Sequence, residues 1–171
     1  MKFLVIGIFL TAATISNAQK FTPPDVIDQR VELISIVYRL SGAEEYTNIN
    51  YPDRVFEQYI DSIEVYFRKY EKHPAVQFAR KLKKRGIGYN YVMYLPLVVT
   101  NPPNMEITVP FMKGKPTSRW DLTTALEFVD LLNQFYHDTN FEQFMVKNKP
   151  LYDAVEIRFS EMTARIDTAW Y

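Results

Sequence analysis

Apolar residues recur at three- and four-residue spacing along most of the chain, and the longest such run spans Ser118 to Met145. There Leu122, Ala125, Leu126, Val129, Leu132 and Tyr136 fall on one side of an α-helix, with Phe128, Leu131 and Phe135 as a second row beside them. So broad an apolar face needs several neighbours to cover it, which predicts a helix at the centre of its domain. Thr117 or Ser118 is placed to accept a bond from a free first-turn amide, with Asp121 adding favourable charge, so the helix is expected to start there. Asp138-Thr139-Asn140 reads as a break, and Phe141, Phe144 and Met145 open a short helix over 141–147.

The same period predicts helices on either side. Ile27, Val31, Ile34 and Tyr38 form one line and Leu33, Val37 and Leu40 another, from a start at Asp25 or Asp28 to a left-handed stop at Gly42. Pro52 fits the first turn of a second helix whose buried side is Phe56, Tyr59, Ile60, Ile63, Phe67 and Tyr70. Pro74 opens a third, which Gly86 closes, and a last helix from Pro150 carries Leu151, Val155, Phe159, Met162, Ile166 and Trp170 at helical spacing. Its apolar row reaches the final residues with no capping signal, which leaves two readings: a docked helix, or a chain that continues in relatives. Residues 88–111 also keep two readings, helix or strand, because Pro96 interrupts both and Glu106 to Phe111 suits a short edge strand. Pro102, Pro103, Pro110, Pro116 and Gly114 make 101–117 a loop of a length usually reserved for functional or mobile segments. The expected fold is mainly α, a single-domain array of about six or seven helices with one Pro-rich loop that has room for a short strand.

Composition narrows the class. With 171 residues, 47% hydrophobic and 15% aromatic, the chain has material for one well-buried core. Lys plus Arg equals Asp plus Glu at 20 each, which removes the basic footprint of a nucleic-acid binder. The one basic run, Arg80 to Arg85, lies at a predicted helix end, where cations complement exposed carbonyls. Residues 1–18 read as a signal peptide: Lys2, an apolar run from Phe3 to Ile15, then Ser16-Asn17-Ala18 with small residues where a signal peptidase needs them. The mature helical domain is then 19–171. It is expected to be exported, periplasmic or extracellular, and free of the membrane once the signal is removed. Cysteine is absent, so disulfides, thiolate metal sites and a lipid-modified cysteine are excluded; the protein is not expected to be a lipoprotein.

Candidate chemistry is sparse. The only histidines, His73 and His137, lie far apart in sequence, whereas a histidine-based zinc site usually pairs two at helical spacing. Ser118 and Ser160 lack the glycine-flanked elbow of hydrolases, and no glycine-rich phosphate loop exists. No catalytic residue, metal ligand or cofactor is expected. Twelve tyrosines supply either recognition surface for sugar or protein, or plain packing.

The stretches RVELISIVYRLSGAEEY (30–46), VYFRKYEKHPAV (65–76), GIGYNYVMYL (86–95), SRWD (118–121) and FYHDTNFEQFM (135–145) resemble a family of exported proteins from gut-type Gram-negative bacteria, the domain of unknown function 4932. Longer members resemble zinc metallopeptidases, with a His-Glu-x-x-His helix downstream in which two histidines hold the metal and the glutamate activates its water. This sequence contains no such motif and ends at IDTAWY, so no metal ligand carries over. The resemblance implies the N-terminal helical portion of such a protein, incomplete relative to longer members and not catalytic alone. Within the family-like stretches, His73, Asn90, Arg119 and Trp120 are the candidate binding residues, with capping, turn and packing roles as the other reading. Asn90 stands where an acidic residue is expected in many relatives. The alternative function is an extracytoplasmic binding module using surface tyrosines and the 101–117 loop. The partners in view are a peptide, a glycan or a separate C-terminal half.

Overall fold

The computed structural model describes residues 27–47, 54–108 and 119–164. The signal peptide, the 22–24 leader, Pro52, Thr117, Ser118 and the last seven residues, with the expectations attached to them, lie outside these. Eight α-helices are present among the described residues: α1 (Gln29–Leu40), α2 (Glu44–Thr47), α3 (Arg54–Phe67), α4 (Pro74–Lys84), α5 (Tyr89–Val92), α6 (Leu122–Thr139), α7 (Phe141–Lys147) and α8 (Lys149–Thr163). Short 3-10 turns follow α3 at Arg68–Tyr70 and α5 at Leu95–Leu97. The fold is mainly α, as the periodicity predicts.

α6 lies at the centre, packed chiefly on α4, α7 and α1. Its buried stripe is Thr124, Ala125, Phe128, Val129, Leu132, Phe135, Tyr136 and Thr139. The stripe is rotated from the expected one, and Leu122 and Leu126 are left about half exposed at 51% and 47%. The helix also starts later than expected. Its N-cap is Asp121, in extended backbone, whose Oδ1 accepts from the Thr124 amide at 2.8 Å. A carboxylate that bonds a third-residue amide satisfies one of the four orphan donors of the first turn and sits well in the helix dipole.

Aromatic rings fill the space beneath α6. Phe67, at the end of α3, is fully buried and stacks on Phe135 at 5.8 Å, meets Phe144 edge-on at 4.7 Å and touches Phe141 at 6.0 Å. Phe128 continues the layer between Phe78, Trp120 and Tyr38. Offset and edge-to-face pairs of this kind each add about 1 kcal/mol beyond the area they bury. In α1 the buried set is Leu33, Ile34, Ile36, Val37, Tyr38 and Leu40, so Ile36 replaces the expected Val31, which is 38% exposed. In α8 only Tyr152 is buried, and the expected row through Phe159 and Met162 is largely open to water.

Of the ambiguous 88–111 stretch, residues 88–108 form α5, a 3-10 turn and one antiparallel bridge between Val99 and Ile107, with no strand among the described residues; the end of the expected Glu106–Phe111 strand, 109–111, lies outside them. Asn133 of α6 holds the start of the proline-rich loop: its Oδ1 accepts from the Met105 amide at 2.8 Å, and its Nδ2 donates to the Met105 carbonyl at 3.0 Å. Thus one side chain does for Met105 what a neighbouring strand would do, and Met105 is buried.

α1 and α4 stop in the same way. Gly42 and Gly86 take left-handed backbone at φ +73° and +77°. The Gly42 amide donates to Arg39 and Ala43 to Tyr38; likewise Gly86 donates to Lys83 and Ile87 to Leu82. These paired bonds close the last turn of each helix, and the residue after each glycine, Ala43 or Ile87, is fully buried. The two ends are then tied together. Tyr38 Oη donates to the Ile87 carbonyl at 2.8 Å, Arg80 Nη2 to the Leu40 carbonyl at 3.1 Å and Lys83 Nζ to the Gly42 carbonyl at 2.6 Å. Two members of the basic run therefore serve the end of α1 rather than a ligand.

The glycines separate two costs. An alanine Cβ at Gly42 meets nothing within 4 Å, whereas at Gly86 it lies 2.0 Å from Arg119 Nη1. Gly42→Ala is expected to cost the left-handed penalty of about 1 kcal/mol, and Gly86→Ala that plus the lost Arg119 contact, about 1 kcal/mol more. Urea unfolding of both variants, alone and with Arg119→Ala, checks this: Arg119→Ala should erase the difference between them.

Candidate functional site

Two of the four candidate residues meet at one corner, where the chain enters α6. Arg119 and Trp120 both close on Tyr91 of α5. The Arg119 guanidinium lies over the Tyr91 ring at 4.4 Å, and its Nη1 donates to the Gly86 carbonyl at 2.7 Å. Trp120 is buried; its Nε1 donates to the Tyr91 carbonyl at 2.7 Å while its indole stacks on Phe128 at 6.0 Å. Asn90 is exposed on α5, next to Tyr91. Beside this corner Arg85 spans Asp121 and the Thr124 hydroxyl, both at 3.1 Å, and the Glu45 carboxylate stands close to Gly88. The bonds to Thr124 and Arg85 hold the Asp121 carboxyl below the usual carboxylate range. Each named bond fixes an element end, and none presents an acid and a base to a common point.

His73 is elsewhere. It caps α4: Nδ1 accepts from the Ala75 amide at 3.1 Å, so Nε2 carries the proton and faces Asp138 Oδ2 at 3.2 Å. Its ring sits edge-on to Phe135 at 5.1 Å. Asp138 lies near the C-terminal end of α6, about 25 Å along the helix from the Trp120 corner at 1.5 Å per residue. His73 thus does not join Arg119 and Trp120. His137 is exposed and packs beside Tyr136, and among the described residues no three His, Asp or Glu side chains gather as a metal site requires.

Near His73, two tyrosines close the end of α6. Tyr70 Oη donates to the Asp138 carbonyl and Tyr66 Oη to those of Thr139 and Asn140, each at 3.1 Å, just where Asn140 turns left-handed at φ 51° into α7. None of the tyrosines whose burial the structure describes is exposed, and Tyr38, Tyr66, Tyr70 and Tyr152 all spend their hydroxyls internally. As recognition surface they offer edges only.

A third cluster involves a residue that the sequence pattern did not single out. Glu32 of α1 is half-buried, and its Oε1 accepts from Tyr152 Oη of α8 at 3.2 Å; Tyr152 Oη also lies 3.4 Å from Tyr59 Oη of α3. The two rings meet edge-on at 5.7 Å. Loss of water around Glu32 pushes its carboxyl up to about 7, and the bond from Tyr152 offsets this only in part. The signal was present: Glu32 stands one turn before the buried Ile36, on the apolar side of the helix. A perturbed carboxyl of this kind is where a functional group is often found. Yet the open depression of about 780 Å³ along α8, rimmed by Asp153, Glu156, Ile157, Ser160 and Glu161, does not include Glu32. No family model, curated protein or solved structure matches the chain.

The role of His73 is testable. His73→Ala is expected to lose about 1 kcal/mol by thermal or urea unfolding, and His73→Asn, which keeps a capping acceptor, to recover most of it. Retention of stability by the alanine variant together with loss of ligand or partner binding would point to a recognition role instead.

Proposed function

We propose that this protein is an exported helical module, akin to the N-terminal portion of the metallopeptidase-like family it resembles, that acts by binding a partner and carries no catalysis of its own. The observation that supports this most directly is where the polar side chains are spent. His73, Arg119, Trp120, Arg80, Lys83, Tyr66 and Tyr70 all bond the ends of helices. A catalytic site needs groups held free to meet substrate, within reach of one another. The Trp120 corner instead holds Arg119 against the Gly86 carbonyl and Arg85 against Asp121 and Thr124, and the α8 depression offers Ser160 and carboxylates with no imidazole among its lining residues.

The missing His-Glu-x-x-His motif agrees with this reading, since without it the metal and the activated water of the longer relatives have no holder. The surface left for binding is modest in polar chemistry but apolar in places. Val146, Ile157 and Met162 on α7 and α8 are each more than 60% exposed. Scattered singly, such residues are ordinary, but two of them share one helix whose neighbours cover little of it.

Export and silence are measured separately. N-terminal sequencing of the protein recovered outside the cytoplasm should begin at Gln19; retention of residues 1–18 in a cytoplasmic product contradicts export. The purified chain should show no stoichiometric zinc uptake by calorimetry and no peptide hydrolysis with zinc present. Tight one-to-one zinc binding with turnover contradicts the silent reading.

A further inference from the structure

Among the helices longer than four residues, α8 buries the fewest described side chains. Of its 15 residues only Tyr152 is buried, and from Ile157 to Met162 every side chain is exposed. It packs chiefly on α7, which immediately precedes it, and Tyr152 reaches α1 through Glu32 and α3 through Tyr59. We propose that α8 is a proton-latched arm: Glu32, Tyr152 and Tyr59 form its catch, closed when Glu32 carries its proton and loosened when it does not.

The groups that face the catch are neutral. Tyr152 reaches Glu32 from α8, Tyr59 stands behind it on α3, and α7 contributes the Phe144 ring, 6.4 Å from that of Tyr59. The charges nearest along α1, Asp28 and Arg30, are tied to each other, and Arg30 also donates to the Val99 carbonyl. Farther along α1, Arg39 pairs with Glu64 of α3, and on α8 Lys149 pairs with Asp153. Burial is the leading influence on Glu32, and no cation among the described residues offsets its charge. With its proton on, the carboxyl and the two phenols make a closed neutral set of donors and acceptors. With its proton off, Glu32 still accepts from Tyr152, but a charge with no cation partner stays in a partly dehydrated setting, where more water would serve it better.

Release of α8 lets that water in. The carboxyl, held near 7 under Tyr152, then returns toward 4.5. A group whose acidity is weakened in the packed state favours packing below the free value and withdraws that support as pH rises through the packed value. If release hydrates Glu32 fully, the opening equilibrium of α8 rises by roughly 70-fold between pH 5 and pH 8. Opening uncovers the Tyr59 and Tyr152 rings together with the half-buried Leu151 and Val155, an apolar strip available only to the released arm.

Amide hydrogen exchange reads this opening even when the open form is rare. In the full chain, protection of the amides at 151–156, corrected for the intrinsic pH dependence of exchange, should fall by tens-fold from pH 5 to pH 8, while amides in the middle of α6 keep theirs. Glu32→Gln, which retains a hydrogen-bonding side chain without a titrating proton, should flatten the response. Unchanged α8 protection across this range in the wild-type chain overturns the proposal without recourse to any variant, and so does an equal response in Glu32→Gln. A parallel fall in α6 also overturns it, because the proton would then act on the whole fold and not on the arm.

Discussion

Helix carbonyls left over at C-terminal ends are the constraint on which this architecture turns. An α-helix leaves its last four carbonyls without internal partners, and eight helices among the described residues multiply that problem. The protein meets it in two layers. Left-handed residues at Gly42, Gly86 and Asn140 turn the backbone sharply out of α1, α4 and α6, and at the two glycines the turn closes the last carbonyls on the helix itself. Side chains from the neighbouring elements then donate to the carbonyls that remain: Tyr38, Arg80, Lys83 and Arg119 at the α1 and α4 ends, Tyr66 and Tyr70 at the α6 end. Each such bond is worth about 1 kcal/mol net, but a buried carbonyl abandoned without a partner costs up to about 3. The helix order is therefore held by polar contacts at the ends as well as by rings in the middle.

This arrangement explains why the periodicity was readable and the roles were not. The helices announce themselves through their apolar spacing, and both glycine stops were legible because only glycine takes that backbone without strain. The facing of α6 and α8 was less legible. Which of two adjacent apolar rows is buried depends on what packs against it, and Leu126 or Phe128, Phe159 or Tyr152, look alike in a single sequence. The start of α6 was misplaced because Ser118 and Asp121 are both good caps, and the bonds from Arg85, 36 residues away, appear only after folding. Glu32 was not singled out, because its partners Tyr152 and Tyr59 come from distant segments of the chain.

The candidate site divides along the same line. Arg119 and Trp120, two of the candidates, converge at one corner on Tyr91, and their chemistry is spent on Gly86 and Tyr91. His73, expected to cap or pack, does both, against Ala75 and Phe135. What is left with free energy to exchange is the carboxyl under Tyr152. A fold that ties the ends of α1, α4 and α6 by side-chain bonds, and fastens α8 partly through the catch proposed above, keeps its rigid and movable parts in different places.

Helix ends ordinarily fray, and their amides exchange far faster than those of the helix middle. The Gly42, Ala43, Gly86 and Ile87 amides, closed by the left-handed turns and bridged by Tyr38, should instead exchange only through opening of the whole domain, at protection equal to that of the core of α6. If native-state hydrogen exchange finds these four amides exchanging through local fraying while α6 stays protected, the tied helix ends do not hold the fold together, and the architecture rests on its ring-filled middle alone.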